Sequence, residues 1–413
     1  MKIYILGACF AGLLLTSCNK SEDDVLPPIP AVVSIEPDFG RAGDTVVISG
    51  KNFGTLAVDV SVTFANEKAG KIIAINDSIL KVIAPTGSAT GPATVVVKDK
   101  SITTPEFSFY ALYMFGGTKE STQYQATVWR DGVATIYSDK YSDIIEGIVV
   151  DNDVHVVGYE YNDAGYPIAT YWKNGNVVEV SGITETTLFT GIAVSGGDVY
   201  ISGIQQKYAN LGTPVYWKNG EIVILEDTEY GNTTDIQVYG SDVYVAGGNS
   251  YATYWKNGVA TKLYKVADNA TAISVVDGDV YVTGERQFPG ITYAMYWKNG
   301  VETVFDNPDP FTYYGTKSIL VVGPNVYIGG SWADEDYGYA AKFWKNGEEQ
   351  TIKLKNNLTP FQIREISEYR GDIFMTMSSY TFNASSYVYR NGQPIFSSSG
   401  FHQLVLDHQI VPY

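Results

Sequence analysis

One pentapeptide constrains this chain more than any other feature. Tyr171-Trp172-Lys173-Asn174-Gly175 returns around Trp217, Trp255 and Trp297 as the same YWKNG, around Trp344 as FWKNG and around Trp129 as VWRDG. Tyr389 takes the tryptophan's place in VYRNG. Successive landmarks lie 43, 45, 38, 42, 47 and 45 residues apart. A period in the low forties, with aromatics and glycines at fixed phases, marks a β-propeller blade. Each copy stops at Asn-Gly or Asp-Gly, the dipeptides of a two-residue hairpin turn whose central residues both need positive φ.

A second element precedes each pentapeptide: Asp153–Gly158, Asp198–Gly203, Asp242–Gly247, Asp279–Gly284 and Asn325–Gly330, with weaker copies at Asp372–Met377 and Leu112–Gly117. An apolar run such as Ile273-Ser274-Val275-Val276 comes before it and a short strand such as Val177–Val180 follows the turn. Four antiparallel strands per copy, over residues 111–413, predict seven blades of about 43 residues. The strand order resembles the kelch family, but the tryptophan sits on the third strand rather than the fourth. The first copy lacks a first strand, which His402–Leu406 would supply; His408–Tyr413 then looks like an eighth copy of the second strand.

Residues 31–110 read differently. Short alternating runs, Thr45–Ser49 and Val95–Val97 among them, are bounded by Gly and Pro, the pattern of a β-sandwich. Ile35-Glu36-Pro37-Asp38-Phe39-Gly40, then Gly43-Asp44-Thr45 through Gly50, then Asn52-Phe53-Gly54, resemble the IPT/TIG family of immunoglobulin-like domains. That resemblance implies a spacer or interaction module without chemistry of its own. The fold class expected is therefore all-β: an immunoglobulin-like sandwich followed by a seven-bladed propeller.

The N-terminal segment predicts export. Residues 1–17 carry one charge, Lys2, before an apolar run from Ile3 to Leu15 that is too short for a mature membrane span. Leu15-Thr16-Ser17-Cys18 resembles a bacterial lipobox with Cys18 as the lipidated residue; the plain alternative is an ordinary signal peptide with a chance cysteine. The acidic cluster in Asn19-Lys20-Ser21-Glu22-Asp23-Asp24 resembles the export signal of surface lipoproteins in the Bacteroidetes, the plain alternative being a solvated tether that happens to be acidic, and Pro27, Pro28 and Pro30 stiffen the tether 18–30. An outer-membrane, lipid-anchored, cell-surface placement follows, with the lipid as the only membrane contact. A net charge of −17 argues against nucleic acid as partner, since its phosphates would be repelled.

In an up-and-down blade the tight Gly-Asp and Asn-Gly turns share one face, and the longer loops share the other, where binding residues tend to sit. On that long-loop face Trp332 is the one tryptophan outside the repeat, beside Asp334, Glu335, Asp336, Tyr337 and Tyr339. An aromatic plane next to carboxylates suits a sugar; the plain alternative is that Trp332 caps the rim between blades. Tyr166, Tyr208, Phe288, Tyr293 and Tyr380 occupy comparable loops and share that ambiguity. Asp334 with Glu335 or Asp336 are candidate Ca²⁺ ligands, and no other cofactor is expected. His155 stands at the repeat's tyrosine position and is expected to be packed between blades. No nucleophile motif or phosphate loop is present. The primary expectation is a non-catalytic surface protein that binds an extracellular glycan or protein; a propeller glycosidase or polysaccharide lyase, and a structural part of an outer-membrane complex, are the alternatives.

Overall fold

A computed structural model describes residues 28–120, 123–184, 186–208, 211–226, 231–248, 251–263, 268–289, 291–305, 313–333, 339–352, 362–378, 386–397 and 403–412. The chain divides into two compact units, Met1–Ser108 and Phe109–Tyr413.

In the first unit the strands run in the hydrogen-bonded order Ala31–Glu36, Thr45–Lys51, Ile79–Ile83, Lys68–Ile75, Val60–Phe64, Gly91–Val97 and the first part of Lys100–Glu120. This corrects the expected two-sheet sandwich to a single curled sheet. The reason is Lys68–Ile75, whose first half pairs with Val60–Phe64 and whose second half pairs with Ile79–Ile83, and which so joins the two halves. The alternation still sets the core: Val46, Ile48, Leu80 and Val82 are fully buried. Phe64 meets Phe107 edge-on at 5.5 Å.

The second unit is a propeller. Six blades are each built from four consecutive strands, and their innermost strands are Ser142–Val150, Thr187–Ser195, Asn232–Tyr239, Asp268–Val276, Tyr313–Val322 and Gln362–Tyr369. The fourth and fifth of these blades are joined into one eight-stranded sheet by a single parallel bridge, Thr292 to Tyr313. The expectation of seven blades is thus corrected to six. The motif copy expected to make one more, Leu112–Gly117 with Trp129, lies on two strands of an 11-stranded sheet, because Lys100–Glu120 is one strand of 21 residues that also pairs with Gly91–Val97. Its innermost position is filled from the far end of the chain by Gln403–Pro412. His408–Pro412 are the second half of that strand, and not a further copy of the second strand; a bulge between Val405 and Asp407 breaks the phase.

The repeated motifs acquire a physical meaning at the short-turn face. Asn174 and Gly175 have φ of 51° and 80°, as the hairpin turn requires, and the other Asn-Gly pairs match them. Asn174 Oδ1 accepts the Val154 N–H at 2.8 Å while its Nδ2 donates to Asp153 Oδ1 at 2.8 Å. Lys173 Nζ lies 2.6 Å from Asp153 Oδ2. The same lock recurs at Asp198, Asp242 and Asp279 with Lys218, Lys256 and Lys298. In these three each lysine also sits over the tyrosine of the preceding motif, 5.1 to 5.4 Å from the ring centroid. The Asp of the second strand and the Lys-Asn of the third are therefore one device that fixes strand register.

The glycine that ends the second-strand motif answers to the innermost strand. Every innermost strand carries a bulge at the same phase, for example between Ile144 and Glu146. A Cβ on Gly158 would lie 2.0 Å from the carbonyl oxygen of Asp143, just before that bulge, and one on Gly330 would lie 1.9 Å from that of Gly315. The bent strand occupies the side-chain space, so only glycine fits.

Trp129, Trp172, Trp217, Trp255 and Trp297 are fully buried, and the last four each belong to a cluster of apolar side chains from adjoining blades. Trp255 Nε1 donates to the Glu226 carbonyl, 2.8 Å away in the segment leading into its own blade. Trp255→Ala is expected to cost roughly 3–5 kcal/mol. A thermal melt within a degree or two of the unmutated protein would contradict that packing role.

Candidate functional site: the axial cavity and the long-loop ends

An innermost strand has no strand on its inner side, so its inward N–H groups need other partners. The bulge supplies them by turning the following side chain toward the next blade. Glu146 Oε2 accepts the Ile192 N–H at 3.3 Å, Asp235 Oδ2 accepts the Ile273 N–H at 2.8 Å, and Ser318 Oγ accepts the Ile366 N–H at 3.0 Å. Asp407 Oδ2 accepts the Gly147 N–H at 3.2 Å and so ties the last strand to the first blade. Two residues on, Gln237 and Gln409 accept the N–H of Val275 and Val149, both at 2.5 Å.

The junctions without such an acid use hydroxyls. Thr190 Oγ1 is 2.7 Å from Thr233 Oγ1, and Thr271 Oγ1 is 2.7 Å from Thr316 Oγ1. Ser367 Oγ bonds His408 Nε2 at 2.7 Å, and His408 Nδ1 bonds Thr376 Oγ1 at 2.7 Å. Each consecutive pair of innermost strands, the closing pair included, therefore carries a side-chain link.

These strands surround a cavity of about 740 Å³. Its wall holds the carboxyls of Glu146, Asp235, Glu365 and Asp407, with Lys317 and Arg364 at the bulged positions. Burial pushes all four carboxyls up: Glu146 and Glu365 well above the usual range, Asp235 less so, and Asp407 to about 7. Mutual repulsion raises Glu146 and Glu365 further, while the N–H groups they accept pull back. Burial drives His408 down to about 3, so its imidazole stays neutral. Among the described residues no three His, Cys, Asp or Glu side chains are grouped to hold a metal ion.

Of the aromatic residues singled out in the sequence, none that is described lines this cavity. Tyr166 is 65% exposed on its loop and Phe288 is 54% exposed. Phe288 meets Tyr293 edge-on at 5.9 Å. Trp332 is half-buried with Lys342 Nζ 5.7 Å from its ring centroid. Tyr208 and Tyr339 end and begin strands at the same face. Asp334, Glu335, Asp336, Tyr337, Tyr380, His402 and Cys18 lie outside the described residues. His155 is buried as expected, with Tyr171 Oη 2.6 Å from Nδ1.

The axial carboxyls went unread in the sequence. Their signal is a polar residue inside each apolar first strand, most plainly the Asp-x-Gln of Asp235–Gln237 and of Asp407–Gln409. It is visible only when the first strands are aligned on the bulge.

The model of the IPT/TIG domain matches residues 30–111. The N-terminal segment is a TIG-like domain. No curated protein matches the chain. Among solved structures, an auxiliary nutrient binding protein from Bacteroides ovatus ATCC 8483 is 14% identical, with 84% of this chain and 95% of that one covered and a TM-score of 0.41. A protein of unknown function from Bacteroides thetaiotaomicron VPI-5482 is 15% identical over 94% and 98% of the two chains, with a TM-score of 0.35. The β-propeller domain of the Trilobed protease from Pyrococcus furiosus is 11% identical over 80% and 97%, with a TM-score of 0.41. Similarity this slight carries no functional argument, which must come from the residues themselves.

The axial carboxyls make stability depend on pH in a stated direction. Their native pKa values are raised, so they favour the folded state when protonated, and that contribution is lost as pH rises through about 7, the value for Asp407. The turn aspartates, Asp153 and its counterparts, are held below the usual range by their lysine and asparagine partners and stay ionised in this window. The melting temperature is therefore expected to be higher at about pH 5.5 than at about pH 8.5. Asp407→Asn should flatten that difference; a melt that rises with pH would contradict the assignment.

Proposed function

We propose that this chain is a non-catalytic binding protein, lipid-anchored through Cys18 at the outer cell surface, whose propeller captures an extracellular glycan or protein on its long-loop face. The observation that carries this reading is the contrast between the two kinds of polar and aromatic side chain in the propeller. The axial acids and His408 are engaged in holding one innermost strand to the next. The short-turn acids are engaged with lysine and asparagine. At the long-loop ends, by contrast, Tyr166 and Phe288 are left open to solvent and Trp332 is half covered. Large aromatics that the fold does not consume are what a binding face requires.

A glycan array probed with the soluble form, residues 31–413, tests recognition itself. If Trp332 contacts the ligand, Trp332→Ala should weaken binding by roughly 1–3 kcal/mol, about ten- to a hundredfold, with little change in melting temperature. Lost stability with retained binding would assign Trp332 to the rim between blades instead. Anchoring is tested apart from binding: Cys18→Ala should release the protein from the membrane fraction. A mutant that still requires detergent, with an unchanged N-terminal mass, would overturn the lipid anchor. Among the described residues no helix is long and apolar enough to cross a membrane.

A further inference from the structure

We propose that Tyr124, Tyr141, Tyr161 and Asp143 form a binding site for a neutral, hydroxyl-rich sugar ring on the long-loop face; the inference rests on the binding reading above and gives it a place and a ligand class. The four residues come from three separate segments. Tyr124 begins the strand Gln123–Arg130, Tyr141 and Asp143 stand at the entry of the innermost strand Ser142–Val150, and Tyr161 ends Asp153–Tyr161. Strand direction puts all of these positions at the end opposite the Asn-Gly turns. None belongs to the repeated motifs, so no blade needs them for register.

The geometry is that of a platform beside a carboxylate. The rings of Tyr141 and Tyr161 stack at 4.1 Å with 12° between their planes. The Tyr161 N–H donates to the Tyr141 carbonyl at 2.9 Å, so backbone as well as ring contact fixes the pair. Tyr161 Oη donates to Asp143 Oδ2 at 3.3 Å. The Ala126 N–H donates to Ser142 Oγ at 2.8 Å, which ties the start of the Tyr124 strand to the entry of the innermost strand, and Lys119 Nζ lies 5.7 Å from the Tyr124 ring centroid. All four side chains are half-buried, held in place yet still reached by solvent.

The surrounding charges select the ligand. Lys140 and Glu160 pair at 2.9 Å, and Ser138 Oγ donates to the other Glu160 oxygen at 2.6 Å. That leaves Asp143, one oxygen of which takes the Tyr161 hydroxyl, to meet an incoming group. A carboxylate accepts from hydroxyl donors and repels anions, and a protein of net charge −17 repels anions at long range as well. A saccharide without charge offers hydroxyls to Asp143 and an apolar C–H face to a tyrosine ring. Two rings already stacked lose little rotamer freedom on binding. Burial raises the Asp143 carboxyl and the Tyr161 bond lowers it again, which agrees with an acceptor in a partly desolvated niche.

The test uses the detergent-solubilised full chain and affinity electrophoresis in gels containing a β-glucan, xylan, a galactomannan, arabinan or the anionic polygalacturonate. Retardation by at least one neutral polysaccharide and none by polygalacturonate is expected. Tyr141→Ala and Tyr161→Ala should each weaken that retardation about tenfold or more, and Tyr161→Phe, which keeps the stack, should weaken it less. As a check that needs no mutant to fold, the retarding polysaccharide should protect Tyr124, Tyr141 and Tyr161 of the unmutated chain from nitration. If the chain is retarded but these variants bind as the parent does and the tyrosines nitrate equally, the site is wrong while the binding reading stands. Retardation only by polygalacturonate overturns the ligand class. If no gel retards the chain, the site falls, and a protein becomes the ligand left to the broader reading.

Discussion

The propeller depends on how its innermost strands satisfy backbone N–H groups that have no neighbouring strand to pair with. A bulge at one fixed phase solves this. It swings the next side chain across to the following blade, where Glu146, Asp235, Ser318 and Asp407 accept N–H groups of Ile192, Ile273, Ile366 and Gly147. The same bend brings a carbonyl so close to the second strand that Gly158 and its counterparts tolerate no side chain. One local distortion thus explains an acid on the axis, a glycine beside it and the closure of the ring by Asp407 and Gln409. A buried carboxylate that accepts N–H groups is costly to hold charged, and here four face one cavity. Proton uptake relieves that cost, which is why the axis is tuned to pH and the exposed turn locks are not.

The two ends of each blade follow different rules. At the short-turn face, Asp153, Lys173 and Asn174 form one lock, repeated with little variation, and exposed ion pairs of this kind fix geometry more than they add stability. Most of the stability lies between the faces, where each buried tryptophan fills the space between neighbouring sheets. At the long-loop face neither constraint acts, and there Tyr166 and Phe288 are exposed and Trp332 is half-buried.

Much of this was legible in the sequence, and the reasons for success and failure are physical. The Asn-Gly turns and the buried tryptophans were readable because each depends on a few adjacent residues. The count of like blades was not, because Lys100–Glu120 is too long to belong to one blade and pairs in two settings. The sandwich expectation failed because Lys68–Ile75 pairs through its first half with Val60–Phe64 and through its second with Ile79–Ile83, which makes one continuous sheet. The phase of His408 was lost because one inserted residue, Leu406, turns every later side chain to the other face. The axial acids were missed for a related reason: Asp235 and Asp407 occupy what reads as an ordinary strand, and only the bulge directs them to the axis. The tyrosines near Asp143 escaped notice because they come from separate segments, which spacing alone does not join.

Native-state hydrogen exchange of the axial amides tests the linked ring most directly. The N–H groups of Gly147, Ile192, Ile273 and Ile366 face a cavity and have side-chain partners only. If those partners hold the ring, the four amides should exchange only with global unfolding, and Asp235→Ala should release Ile273 while leaving Ile192 protected. Exchange of all four in the unmutated protein as fast as amides in the exposed turns would contradict the account.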